Sequence, residues 1–225
     1  MSRQFISGFT TYKGVKNFPM IVKRRLRLSA AVLLTLLSTI SLALAKNNTS
    51  ANLARIKIDN FGRIDDTYYR GAQPSGNDYV DLATLGIKTV IDLTEDGRSD
   101  ERAFVERAGM KFYRIPLTTS NRPSDAAVAQ FLKLVNDRAN QPVFVHCQGG
   151  RHRTGTMTAV YRMTHYGWTA DQAYTEMQRY HFEGFIGHPA LKKFVYDFYA
   201  HLDRARIAND RRANEQRTNE IGVGK

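Results

Sequence analysis

A cysteine and an arginine six positions apart carry the densest chemical information in this chain, within His146-Cys147-Gln148-Gly149-Gly150-Arg151-His152-Arg153-Thr154-Gly155. Gly149 and Gly150 let the backbone curl tightly, and successive N–H groups in such a curl form a nest for an anion. A helix starting after the loop adds the partial positive charge of its N-terminus at the same point. Arg153 closes the ring with a guanidinium, whose parallel donors match two phosphate oxygens as a lysine cannot. Gln148, Gly149, Gly150, Arg151 and His152 are the remaining candidate phosphate contacts. The same field favours a thiolate: free cysteine titrates near ~8.5, and helix N-termini with nearby cations lower this to roughly 3.5–7.5. Such a thiolate attacks phosphorus in line with the departing oxygen and yields a phosphocysteine. Thr154 is placed to donate its hydroxyl to the sulfur as that bond breaks, and His146 to brace the loop by hydrogen bonding.

Cys147 is the single cysteine of the chain, so a disulfide scaffold is excluded. A lone cysteine is more often a small buried apolar residue than a nucleophile, and it is the neighbours of Cys147 that reverse this. Two rival loops fail on spacing. A nucleotide-binding P-loop needs a lysine after its second glycine, where this chain has Thr156 and Met157. A metal site needs several ligands at set intervals, and His146, Cys147 and His152 have no such partners along the sequence.

The elements around the loop follow from periodicity. Ile56, Ile58, Phe61 and Ile64 alternate with polar residues between Arg55 and Gly71, which predicts an antiparallel strand pair. Ser75 and Asp78 resemble a capping box opening a helix through Tyr79 and Leu82 that Gly86 closes. Strands follow at Ile87 to Leu93 and Lys111 to Leu117, separated by a helix around Phe104 and Val105 that Gly109 closes. Ser124 caps a helix whose apolar positions are Val128, Phe131, Leu132 and Val135. Pro142 opens Val143-Phe144-Val145, a continuous apolar run of the kind found in a central parallel strand. Beyond Arg153 the pattern is helical: Met157, Val160 and Tyr161 share a face, Gly167 ends that helix, and Thr169 with Gln172 boxes the next. Pro189 opens a last helix with Leu191, Phe194, Val195, Phe198 and Leu202 on one stripe. This order predicts one α/β domain with a mostly parallel central sheet flanked by helices and a strand–loop–helix site.

At 225 residues and 42% hydrophobic content the chain supports one ordinary core, assigned to residues 55–202. Residues 1–45 contain seven basic residues and no acidic one, then an apolar run over residues 28–45 ending in Ala43-Leu44-Ala45. This reads as an export signal, which places the protein in the periplasm or outside the cell; the alternative is an uncleaved membrane anchor formed by residues 28–45. Residues 1–19, ahead of Met20, form an upstream extension, residues 46–54 a polar linker, and residues 203–225 a mixed-charge, solvated or frayed tail. Seven of the net +12 charges belong to the first 45 residues, leaving +5 for the remainder. No basic stripe for nucleic acid is left, while the residual excess suits a small anionic substrate.

The loop resembles the His-Cys-x5-Arg-Thr-Gly signature of the cysteine-dependent protein tyrosine phosphatase superfamily. Tyr69-Arg70-Gly71-Ala72-Gln73-Pro74 and Leu85-Gly86-Ile87-Lys88-Thr89-Val90-Ile91-Asp92-Leu93 look like the opening of its compact bacterial, plant and fungal atypical dual-specificity phosphatases. The resemblance runs from about Tyr69 to Phe198. It implies a cysteine-phosphatase α/β fold, no metal or other cofactor, Cys147 as nucleophile and Arg153 as phosphate clamp. It also implies a general acid, which family members take from an aspartate in a loop before the signature. In the loop from Pro116 to Asp125 the only carboxylate is Asp125, 22 positions before Cys147, where plant and fungal atypical members carry theirs. The alternative is that Asp125, beside the cap Ser124, only complements the helix dipole. Asp96 and Asp100, on an earlier loop, are second choices.

Substrate remains open between a phosphorylated protein and an inositol phosphate. Gly150-Arg151-His152-Arg153 resembles the Gly-Lys-His-Arg of atypical enzymes acting on inositol phosphates, and its cations suit a polyanion. A catalytically weak anion-binding module is the reading from another class. Sulfur transfer of the rhodanese kind places its arginine five residues after the cysteine, where this chain has His152.

Overall fold

The described residues of this computed structural model are 53–183 and 187–222, with side chains described as far as Arg217. The export segment, residues 1–45, and most of the linker lie outside them. The linker's last residues are not extended: residues 53–55 form a helical turn, and Leu53 packs half-buried against the core.

Among the described residues five strands form one sheet: β1 (Gly62–Arg63), β2 (Tyr68–Gly71), β3 (Thr89–Thr94), β4 (Lys111–Leu117) and β5 (Val143–His146), in the order β1-β2-β5-β3-β4. Only β1 runs antiparallel to its neighbour; β2, β5, β3 and β4 are parallel. The unbroken apolar run Val143–Val145 thus sits at the centre of the sheet with both faces covered, which is why it shows no alternation.

The sheet divides two apolar layers by side-chain parity. Val90, Phe112 and Phe144 point to one side, with Tyr79 and Leu82 of α1 (Asp78–Thr84) and Val105 of α2 (Glu101–Arg107). Ile91, Leu93, Ile115, Leu117, Val143 and Val145 point to the other. There they meet α3 (Asp125–Asn136), α4 (His152–His165), α5 (Ala170–Arg179) and α6 (Pro189–Gly222). Each fully buried Leu, Ile, Val or Phe here contributes about 1.5–3 kcal/mol.

The capping residues act largely as their sequence positions predict. Ser124 Oγ accepts from Ala127 N at 3.2 Å, and Thr169 and Gln172 make the reciprocal box. At Ser75 the roles differ: its amide and hydroxyl both donate to the Asp78 carboxylate, so only half of a box forms. Helix α4 is buried nearly all round from Arg153 to Met163, not on one stripe, because it lies between the sheet and α5 and α6. Three of its threonine hydroxyls survive burial by bonding backward: Thr156, Thr158 and Thr164 donate to the carbonyls of His152, Thr154 and Val160. Helix α6 continues well beyond Leu202, to Gly222. The segment expected to be a frayed tail is rich in Arg and Ala, both strong helix formers, and its side chains are mostly exposed as far as Arg217.

Candidate active site

β5 delivers His146 to the carboxyl edge of the parallel sheet, and the chain turns there through Cys147–Arg151 into α4. Ligands of open α/β sheets bind at this edge. Gly150 is required twice over. Its φ is +64°, and a Cβ would lie 2.5–2.6 Å from the backbone of Gly71 and Ala72.

Three successive carbonyls of the loop are tied from outside. Gln148 O accepts from Gln73 N at 3.1 Å, Gly149 O from Asn60 Nδ2 at 2.8 Å, and Gly150 O from the Arg70 guanidinium. In a planar trans peptide the next residue's N–H points opposite to the carbonyl. Tying these carbonyls outward therefore turns the N–H groups of Gly149, Gly150 and Arg151 to the inner side of the curl. Asn60 reaches the loop from a left-handed backbone conformation (φ 52°), which asparagine tolerates better than most residues. Sequence reasoning gave no role to Asn60, Arg70 or Gln73; the Arg70–Pro74 segment was informative only as a family marker.

Within the curl lies a cavity of ≈280 Å³ lined by Thr119, Cys147, Gln148, Gly149, Arg151, His152 and Arg153. Cys147 is free and 3% exposed, with its side chain at the cavity wall and against the core. Arg153 is also buried; its Nη1 donates to Leu117 O at 3.1 Å and to Asp96 Oδ1 at 3.2 Å. That hydrogen bond holds the well-exposed Asp96 carboxyl below the usual range. Arg153 Nε is buried with no partner among the described residues, which leaves a donor for an incoming oxygen.

The other predicted residues divide. Arg151 stands exposed at the start of α4, on the cavity. His152 lines the cavity but not as a cation: burial first, and the neighbouring His188 next, push its ring down to about 4. The two imidazoles lie 3.7 Å apart between centroids, and His188 Nδ1 is 3.2 Å from Thr119 O. Thr154 is fully buried, and its hydroxyl has no partner among the described residues; it makes no bond to the sulfur.

Among the described residues His146 makes no hydrogen bond to the loop it was expected to brace. Its Nε2 lies 2.9 Å from Glu101 Oε1, with both side chains fully buried. Asp92 completes a trio whose ligand atoms fall within 4.8 Å of one another, at the ends of β3 and β5 and the start of α2. Sequence spacing did not reveal this cluster, because its members are brought together only by the strand register, which pairs Asp92 with His146. The trio is chemically a possible cation site, yet a cation is built in: Arg114 Nε donates to Asp92 at 2.6 Å, and its Nη2 is 3.8 Å from Glu101.

Asp125 is where the arrangement departs most from expectation. Its side chain is 94% exposed and paired with Arg122, and it borders a different cavity between α3 and α6. The dipole-complementing alternative describes this position, since Asp125 is the first residue of α3 beside its cap. The carboxylate that reaches the loop arginine is Asp96, the earlier-loop residue ranked second from sequence.

A protein-family model described as DSP-PTPase phosphatase fused to NAD+ Kinase matches residues 47–190. The dual specificity protein phosphatase TpbA of Pseudomonas aeruginosa is 35% identical over 121 residues, 53% of this chain and 54% of TpbA. The inositol diphosphatase DSP2 of Oryza sativa subsp. japonica is 27% identical over 127 residues, 54% of this chain and 61% of its own. This chain thus spans about half the length of the curated relatives it matches. Among solved structures, a cysteine-to-serine variant of P. aeruginosa TpbA in complex with pTyr superposes with a TM-score of 0.53 at 29% identity, covering 60% of this chain and 82% of that one. The fold is that of the protein tyrosine phosphatases, and with well over half of its length matched, the chain belongs to the DSP-PTPase family.

Proposed function

We propose that this chain hydrolyses phosphomonoesters through a phosphocysteine on Cys147, acting on phosphotyrosine and related protein phosphoesters. The observation that carries the reading is the shared cavity: Cys147, Arg153 and the inward side of an amide curl meet around a space of ≈280 Å³. The Cys147 thiolate bonds to phosphorus while the bond to the leaving oxygen breaks, and that oxygen takes a proton. Arg153 and the amides of Gly149, Gly150 and Arg151 hold the equatorial oxygens through the transition state. Water then displaces sulfur, releasing inorganic phosphate and restoring the thiolate.

We assign the proton to Asp96. Its carboxylate already contacts Arg153, so an arriving phosphate that takes over the guanidinium frees the carboxylate beside the leaving group. Release from Arg153 also removes what holds its proton affinity down.

A second reading, an inositol phosphate substrate, is supported by the exposed Arg151 on the cavity and by the likeness to a plant inositol diphosphatase. The neutral His152 removes one of the cations that this reading counted on. Phosphate release should be measured on phosphotyrosine, phosphoserine and phosphothreonine peptides, inositol hexakisphosphate and phosphoinositide vesicles. Turnover confined to the inositol compounds would transfer the proposal to the second reading; turnover of none would leave an anion-binding module.

The export assignment for residues 1–45 rests on their charge and apolar pattern. N-terminal sequencing of the protein recovered from the extracytoplasmic fraction should begin at Lys46, whereas an intact N-terminus held in membranes would favour the anchor.

A further inference from the structure

Arg70 presents a charge problem. It lies on β2, is 0% exposed, and belongs to no ion pair among the described residues. One guanidinium nitrogen donates to Gly150 O, while Nε and Nη1 have no hydrogen-bond partner among the described residues. The Tyr180 ring covers it at 3.9 Å. Burying a cation without a counter-ion is costly, and proteins ordinarily place a carboxylate against it. The carboxylate on the neighbouring helix, Glu176 of α5, is instead taken up by Arg162 through three contacts of 2.6–3.1 Å. The other ionisable groups facing Arg70 are Tyr68 on its own strand, Tyr180 beyond α5 and Cys147 on the loop.

We infer that Arg70 is a positioning residue of the phosphate site, and that the anion neutralising it is the one held on the other side of the loop. This rests on the proposed phosphatase reading and deepens it. The Gly150–Arg151 peptide lies between the two charges. Its carbonyl accepts from Arg70, and its N–H faces the inner side of the curl, so the guanidinium polarises that peptide toward an anion. Arg70 thus acts from behind, without touching substrate, where Arg153 acts from in front. Burial pulls the Arg70 guanidinium down from its ordinary value, which means its charge is least comfortable when no anion offsets it. Asn60 supplies the contrast: it ties the adjacent Gly149 carbonyl at 2.8 Å and brings no charge.

The test uses the full chain with Arg70→Met, Arg70→Lys and Asn60→Ala. Inorganic phosphate and orthovanadate binding are read by calorimetry and thermal shift, and kcat and KM are measured on p-nitrophenyl phosphate. The expected result is that Arg70→Met loses more than tenfold in oxyanion affinity, clearly more than Asn60→Ala, and raises KM while lowering kcat. Its melting temperature without ligand should stay near or above that of the unaltered chain, and its phosphate-induced shift should nearly vanish. Arg70→Lys should recover part of the affinity. A merely structural role predicts the reverse: a lower melting temperature with the phosphate-induced shift intact. The inference is overturned by that reverse pattern or by an Arg70→Met affinity equal to that of Asn60→Ala. If Arg70→Met does not fold, Arg70→Lys decides: affinity above that of Asn60→Ala supports the charge, and affinity equal to it overturns it. An unaltered chain that neither binds phosphate nor turns over removes the phosphatase reading and this inference together. An active unaltered chain with indifferent Arg70 variants removes this inference alone.

Discussion

Arg153 holds Asp96 at 3.2 Å with the same nitrogen that donates to the Leu117 carbonyl. In the free chain an internal carboxylate therefore engages the guanidinium that a phosphate would need. Asp96 is 78% exposed, so displacing it costs little, and the exchange couples substrate arrival to release of a carboxyl group from Arg153.

That coupling separates the two aspartates. Asp96→Asn should lower kcat about 10²-fold on a poor leaving group such as phenyl phosphate, and much less on p-nitrophenyl phosphate, which needs little protonation. Asp125→Asn should change neither by more than about twofold, since its side chain is exposed and paired with Arg122 away from the loop cavity. A leaving-group series on both variants checks this, and the opposite ranking would return the acid to Asp125.

Nucleophile and clamp should fail differently. Cys147→Ser is expected to abolish turnover while phosphate binding and melting temperature hold, because the small buried side chain changes little in volume. Arg153→Lys should fold, yet lose about 10²–10³-fold in kcat through loss of the paired donors. Rapid denaturing quench with labelled substrate, followed by peptide mapping at alkaline pH where the S–P bond survives, should find label on Cys147, and none in Cys147→Ser.

Gly150→Ala should be the most damaging small change in the loop. A residue with a Cβ at φ +64° meets the Gly71 and Ala72 backbone at 2.5–2.6 Å, so β2 or the loop must shift. Strain of this kind costs about 1–3 kcal/mol, about 2–4 °C of melting temperature per kcal/mol at this size. Calorimetric melting and phosphate affinity should fall together; an unchanged affinity would show that the curl does not need its present path.

His152 sets a pH window. Its folded-state value, pushed to about 4, lies below the ~6.5 of an unfolded histidine, so the unfolded chain binds the extra proton between them. The contribution is present above pH ~6.5 and is lost as pH falls toward about 4. Urea midpoints across this range should decline for the unaltered chain and more gently for His152→Gln, whose side chain does not titrate. Parallel slopes would assign the acid loss elsewhere.

Much of the architecture was legible because it is local. The parity of Val90 and Ile91, the unbroken Val143–Val145 run, and the caps at Ser124 and Thr169 follow from periods of two and 3.6 residues and from single hydrogen bonds. So did the loop itself, since its two glycines, its cysteine and its arginine are contiguous and a curl of that length has few other uses. Helix α6 ran on past Leu202 because helix propensity persists where an apolar stripe does not.

What tertiary structure alone decided were relationships between residues distant in the chain. Asp96 displaced Asp125 at the arginine because the loop after β3 brings a carboxylate to Arg153, whereas the loop after β4 offers it Thr119 and leaves Asp125 paired with Arg122. Asn60 and Arg70 reach the loop across 89 and 80 residues, Arg70 through the parallel pairing of β2 with β5 and Asn60 from the turn before β1. Asp92 meets His146 by strand register. His152 loses its charge through burial first and through the neighbouring His188 next, neither of which its sequence position reveals. A sequence specifies which groups exist and how their neighbours bend the backbone, whereas desolvation and charge depend on what the fold sets against them, and that is a property of three dimensions.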